Sequence, residues 1–143
     1  MPGGRGPWSE PVVRRRRGLG RKILSVIAGV VAGGIVVGLV EALGHTAFPI
    51  REGVDFQQLK PGDIPIPAMV AVLVAWALGS LVGGWVAARK AGMAPALSVG
   101  AILMAAGIVN MVTIPSPLWF WVGGLAVFLP FAYLGAKLAA RRS

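Results

Sequence analysis

Four long apolar stretches organise the chain, at about 23–47, 65–88, 94–114 and 117–138, with short polar segments between them. Each approaches or exceeds the ~20 residues a helix needs to cross ~30 Å of hydrocarbon. Four spans of this length cannot close as a barrel, and lipid leaves no other way to satisfy the backbone, so helices are expected. The pattern predicts an all-α fold: a polytopic four-transmembrane-helix bundle over 23–143. Residues 1–22 ("MPGGRGPWSEPVVRRRRGLGRK") carry Gly, Pro and Arg without an apolar period and read as a disordered basic arm. The apolar run starting at Ile23 is too long for a cleaved secretory signal and reads as a retained span.

Composition agrees with this reading. The apolar fraction is 56% and the charged fraction 13%, against roughly half and a quarter in soluble domains. The absence of cysteine removes disulfides, thiolate zinc sites and cysteine nucleophiles, and a single histidine removes multi-histidine metal sites. No metal or other cofactor is expected. The net charge of +9 is placed like that of a membrane protein rather than a nucleic-acid binder. Twelve of the fourteen basic residues precede the first span, fill the second connection or follow the fourth span. The remaining two, Arg51 and Lys60, sit among Glu52, Asp55 and Asp63. By the positive-inside rule both termini are cytoplasmic. Arg14, Arg15, Arg16, Arg17, Arg21 and Lys22 then serve as a topology signal and as contacts for anionic lipid or an acidic partner.

A weak internal repeat is also visible. "LSVIAGVVAGGIV" (24–36) matches "LSVGAILMAAGIV" (97–109) at eight of thirteen positions. "IPIP" before the second span echoes "IPSP" before the fourth, and "AARK" echoes "AARR" after them. Each half would be one helical hairpin, in parallel duplication about an axis along the membrane normal. Chance alignment of low-complexity apolar segments is the competing explanation.

Helix association in lipid depends on close backbone packing, for which small residues are the signal. Ala71, Ala75, Gly79, Gly83 and Ala87 form one stripe at spacing four. The first helix carries two GxxxG pairs, Gly29 with Gly33 and Gly34 with Gly38, and the third has Gly100 and Gly107 one heptad apart. These faces predict tight crossings, with a homo-oligomer or a larger membrane complex taking any face left over.

Within the first apolar run "VEALGHTAFP" (40–49) places Glu41 and His45 four residues apart, on one helix face that Gly34 and Gly38 continue. Glu41 lies roughly 9 Å from the end of its helix, at ~1.5 Å per residue. Asn110 sits about one turn from the same end of the third helix, with Thr46 and Thr113 at similar depth. Trp119 and Trp121 open the fourth helix from that side. A polar layer of Glu41, His45, Asn110 and Thr113, rimmed by the tryptophans, is therefore a candidate site. Glu41 and His45 can share a proton and titrate as a unit. The layer could carry a proton, grip a small cation, supply a general base, or pin helices together by hydrogen bonds. The 17-residue segment 48–64 either caps this layer or simply connects. Trp76 and Trp85 read as packing and interface residues, and Pro130 is expected to kink the fourth helix.

"EALGHTAFP", "AWALGSLVGGWVAARKAG" and "GIVNMVTIPSPLWFW" resemble small bacterial four-helix membrane proteins of uncharacterised function. The resemblance covers about 23–140. It implies a location in the bacterial plasma (inner) membrane and marks Glu41, His45, Asn110, Pro115, Pro117 and Trp119 as signature positions. It implies no activity, cofactor or substrate. Membrane lipids are the expected surroundings, and nucleic acid is not an expected partner.

Three functions compete on this evidence. A non-enzymatic accessory or assembly subunit, packing through its small-residue faces, is favoured. A small proton-linked transporter or channel using Glu41, His45 and Asn110 is the alternative. An intramembrane enzyme acting on a lipid or quinone comes third.

Overall fold

The computed structural model describes residues 10–49, 52–53, 55, 57–60 and 62–142, with the backbone alone for 10–15. It is all-helical. The elements are α1 (Glu10–Ala47), α2 (Ile66–Ala91), α3 (Met93–Thr113) and α4 (Leu118–Ala140). All four are long and apolar enough to cross a membrane. Large apolar side chains such as Ile27, Val31, Leu39, Leu43, Val109 and Val112 point outward from the bundle, as expected where lipid replaces water.

One boundary departs from the expectation. Residues 10–22 are helical rather than an unstructured arm, and residues 1–9 lie outside the described part. Pro11 falls in the first turn, where its missing N–H costs nothing. The arginines that follow are good helix formers that can propagate a helix already nucleated by the apolar segment. At ~1.5 Å per residue the 38-residue α1 spans about 57 Å, so its arginine-bearing start extends well past a ~30 Å hydrocarbon core.

Prolines and one glycine set the other ends. Pro65 precedes α2, with a further Pro in its first turn, and Pro117 precedes α4. α2 and α3 are joined by Gly92 alone, at φ +87°, a conformation that favours glycine. α4 runs continuously through Pro130.

α2 packs against all three other helices, as does α3, while α1 and α4 are not packed together among the described residues. The small stripe of α2 explains its central place. A methyl group added at Gly33 would lie 2.7 Å from the Gly79 carbonyl oxygen, and one at Gly29 equally close to that of Gly83. No side chain fits there, so α1 and α2 cross backbone to backbone. Ala87 continues this contact against Gly29, and Ala71 approaches Gly44 at the other end. Ala75 is fully buried. On the opposite side, Gly100 packs on Ala132 and Gly107 under the Phe128 ring.

Gly34 and Gly38 behave differently: neither has a neighbour within 4 Å of where a Cβ would stand. Successive helix residues point ~100° apart, so α1 cannot turn both Gly33 and Gly34 toward α2. The Gly29–Gly33 pair makes the crossing, and the second GxxxG pair stays open. The contact pattern is also less symmetric than a simple hairpin duplication: an axis exchanging the hairpins would match the α2–α3 contact with an α1–α4 contact, which is absent among the described residues.

Candidate intramembrane polar site

α1 rises to the end of the bundle that carries the long 48–64 connection, and Glu41 sits two turns from its finish, half buried. The crossing just described controls its neighbours. Running the Gly29–Gly83 and Gly33–Gly79 register two turns further brings Glu41 level with Ala71–Ala75, within reach of Trp76. The Trp76 indole, 3% exposed, donates its Nε1–H to Glu41 Oε1 at 3.2 Å. The ring is itself held from behind, stacked on Phe128 at 5.2 Å between centroids and tilted against Phe120 at 5.4 Å. One carboxylate oxygen is thus fixed by a donor that cannot swing away.

The other oxygen, Oε2, has no protein hydrogen-bond partner among the described residues and is not sealed off. The Asn110 carboxamide is in the same condition: half buried, without a protein partner among the described residues, and not enclosed. Both side chains line a cavity of about 220 Å³. His45 and Ser116 add polar edges, and Met69 and Phe120 form apolar wall. His45 is itself exposed, four residues beyond Glu41 on α1. Unpaired polar groups are costly in hydrocarbon. A carboxylate oxygen and a carboxamide without protein partners, on two side chains that line one cavity, can therefore make hydrogen bonds to water or to another molecule there.

Among the described residues, two from the connection between α1 and α2 reach that cavity. Leu59 is buried at 8% exposure, and with Ile64 it lines the cavity from the loop side. Aspartates shape this loop: Asp63 accepts from the Lys60 backbone N–H at 2.9 Å, and Asp55 from that of Gln57 at 3.0 Å. The sequence favours a plain connector for this segment; Leu59 and Ile64 nevertheless lie against the polar layer.

A second cavity, of about 200 Å³, lies deeper. Glu41 and Asn110 line this one too, together with Trp76, Leu103, Ala106 and Gly34. The two polar side chains thus stand between two spaces. Nearer the arginine-bearing end the bundle closes through the Gly29–Gly83 and Gly33–Gly79 contacts, where the buried polar residues are Ser25 and Ser80.

Of the expected layer, Glu41, His45 and Asn110 come together, and three residues do not join them. Thr113 is exposed and its hydroxyl donates to the Val109 carbonyl at 2.8 Å within its own helix. Trp119 is 43% exposed and Trp121 packs against the core; neither lines a cavity with Glu41. Phe120, between them, takes the place they were expected to hold, because at ~100° per residue it points inward where its neighbours cannot. Trp76 was expected to be only a packing residue; the helix-crossing register was the signal that could have found it. Trp85, by contrast, stacks under Arg89, 5.0 Å from the ring centroid, and Lys137 lies equally close over Tyr133. Arg16, Arg17, Arg21 and Lys22 are exposed at that same end, and Arg14 and Arg15 fall on the helix that precedes them.

No family model matches the chain, and neither a curated protein nor a solved structure matches it.

Proposed function

We propose that this is an integral membrane protein that works by binding: a non-enzymatic accessory or interaction subunit whose recognition site is the cavity at Glu41 and Asn110. The observation that carries the reading is the divided carboxylate. One oxygen is locked to Trp76, while the other has no protein partner among the described residues, and the side chain lines the cavity together with the likewise unpartnered Asn110 carboxamide. Such a pair suits a small ligand that is cationic or donates hydrogen bonds. Most small-residue faces are used inside the chain, so recognition through glycine stripes is left to Gly34 and Gly38. The charge distribution supports cytoplasmic termini, with the cavity toward the outer face, and the resemblance to small bacterial membrane proteins points to an inner membrane.

The test uses the carboxyl-modifying reagent dicyclohexylcarbodiimide on the full chain in phosphatidylcholine nanodiscs, with intact mass reporting modification of Glu41. N,N-dimethylpropylamine, a tertiary amine that cannot be acylated by the activated carboxyl, should slow that modification, and Glu41→Gln should remove it. Modification that is indifferent to the amine contradicts the reading.

The second cavity favours a second reading, proton-linked transport, because Glu41 and Asn110 bridge two spaces at different depths. Liposome flux separates the two. Binding alone predicts no proton flux above empty vesicles, whereas flux lost in Glu41→Gln would establish transport.

A further inference from the structure

The deeper cavity tells more about the ligand than the outer one does. α1 and α3 approach each other closely at Gly29–Val99 and Gly33–Leu103. Past that level the space between them is lined by Gly34, Val37, Ala106 and Leu103. Gly34 and Ala106 are both exposed on the outer surface of the bundle, and nothing stands within 4 Å of a Cβ placed at Gly34. This cavity therefore opens sideways, where lipid would lie, through a gap between two small residues. Glu41 and Asn110 line it as they line the outer cavity. Polar groups shared by the two cavities, beside a lateral apolar opening, match a molecule with a head and a tail.

Charge decides the head. Among the described residues neither cavity is lined by lysine or arginine, and the basic side chain at either is His45, which is exposed. A positive head meets the free Glu41 oxygen, the Asn110 carbonyl oxygen and the Phe120 ring, all favourable to a cation. A carboxylate head meets Glu41 and is repelled. Resting on the binding reading above, we infer that the site takes a single-chain amphiphile with an amine head, entering from the bilayer between α1 and α3. Its head lies at Glu41 and Asn110, and its chain leaves past Gly34 and Ala106.

The carbodiimide assay distinguishes this inference from the reading beneath it. N,N-dimethyldodecylamine, N,N-dimethylpropylamine and dodecanesulfonate, none of which the carbodiimide couples, are compared on wild type and on Ala106→Trp, which fills the lateral opening from an exposed position. Each rate is normalised to that variant's rate without additive. In the wild type the long amine should protect Glu41 at about tenfold lower concentration than the short one or less, since each buried methylene adds to binding. The sulfonate should not protect. Ala106→Trp should abolish the advantage of the long amine while the short amine still protects. Gly34→Leu, which narrows the same opening from α1, should reproduce that loss and serves if Ala106→Trp does not fold. Long-amine protection undiminished in both variants would overturn the lateral route and leave the cavity reading standing. Failure of both amines to protect the wild type would overturn the cavity reading as well.

Discussion

Glu41 gains its meaning from Trp76. A carboxylate in an apolar helix needs a donor, and here the donor is an indole whose ring is wedged between Phe120 and Phe128. Trp76→Phe keeps the stack and removes the N–H. Leaving the acceptor without this partner costs about 1–3 kcal/mol, so thermal unfolding in nanodiscs should come at lower temperature. The same substitution in a Glu41→Gln background should cost less, because a neutral acceptor makes a weaker bond. Equal losses in the two backgrounds would mean that the 3.2 Å contact contributes nothing specific. Much of this site was legible in the sequence. Spacing four put Glu41 and His45 on one face, and depth put Asn110 level with them. The tryptophan donor was hidden because a lone Trp in an apolar helix reads as packing unless the helix-crossing register is known. Phe120 was hidden by its two larger and more conspicuous neighbours.

Among the helices, small residues divide sharply by face. Gly33 stands against the Gly79 carbonyl, while Gly38, five residues on, faces open space. Gly33→Leu forces α1 and α2 apart, and overpacking of this kind costs about 1–3 kcal/mol or more. Gly38→Leu meets nothing and, in a helix, replaces a poor helix former with a good one. The first variant should unfold at clearly lower temperature than wild type and the second at the same or higher temperature. A reversed order would contradict the crossing. Here the sequence supplied both GxxxG pairs and could not say which one α2 would take, since adjacent residues on a helix compete for a single facing direction. The spans themselves were plain, because continuous apolar runs bounded by Pro, Gly and charge leave little choice. The helical stretch over 10–22 was not, since Gly and Pro near a run of arginines suggest disorder and only continuity with the span explains the helix.

The whole molecule is a bundle with two unlike ends. One carries Arg16, Arg17, Arg21, Lys22, Arg89, Lys90, Lys137, Arg141 and Arg142. The other carries the outer cavity, with Leu59 against it. Since the chain has no native cysteine, single cysteines report position without background. In intact cells a membrane-impermeant maleimide should label Glu52→Cys and spare Arg142→Cys until the membrane is opened; the opposite pattern would invert the proposed orientation. The central claim is that the Glu41–Asn110 layer faces an accessible internal space rather than lipid. It is tested most directly by reacting Asn110→Cys and Val112→Cys, two positions near the same end of α3, with a charged methanethiosulfonate reagent in nanodiscs. Val112 is 71% exposed on the lipid-facing surface and Asn110 lines both cavities. The account predicts fast modification of Asn110→Cys and slow modification of Val112→Cys; an unreactive Asn110→Cys, or a Val112→Cys that reacts as fast, would contradict it.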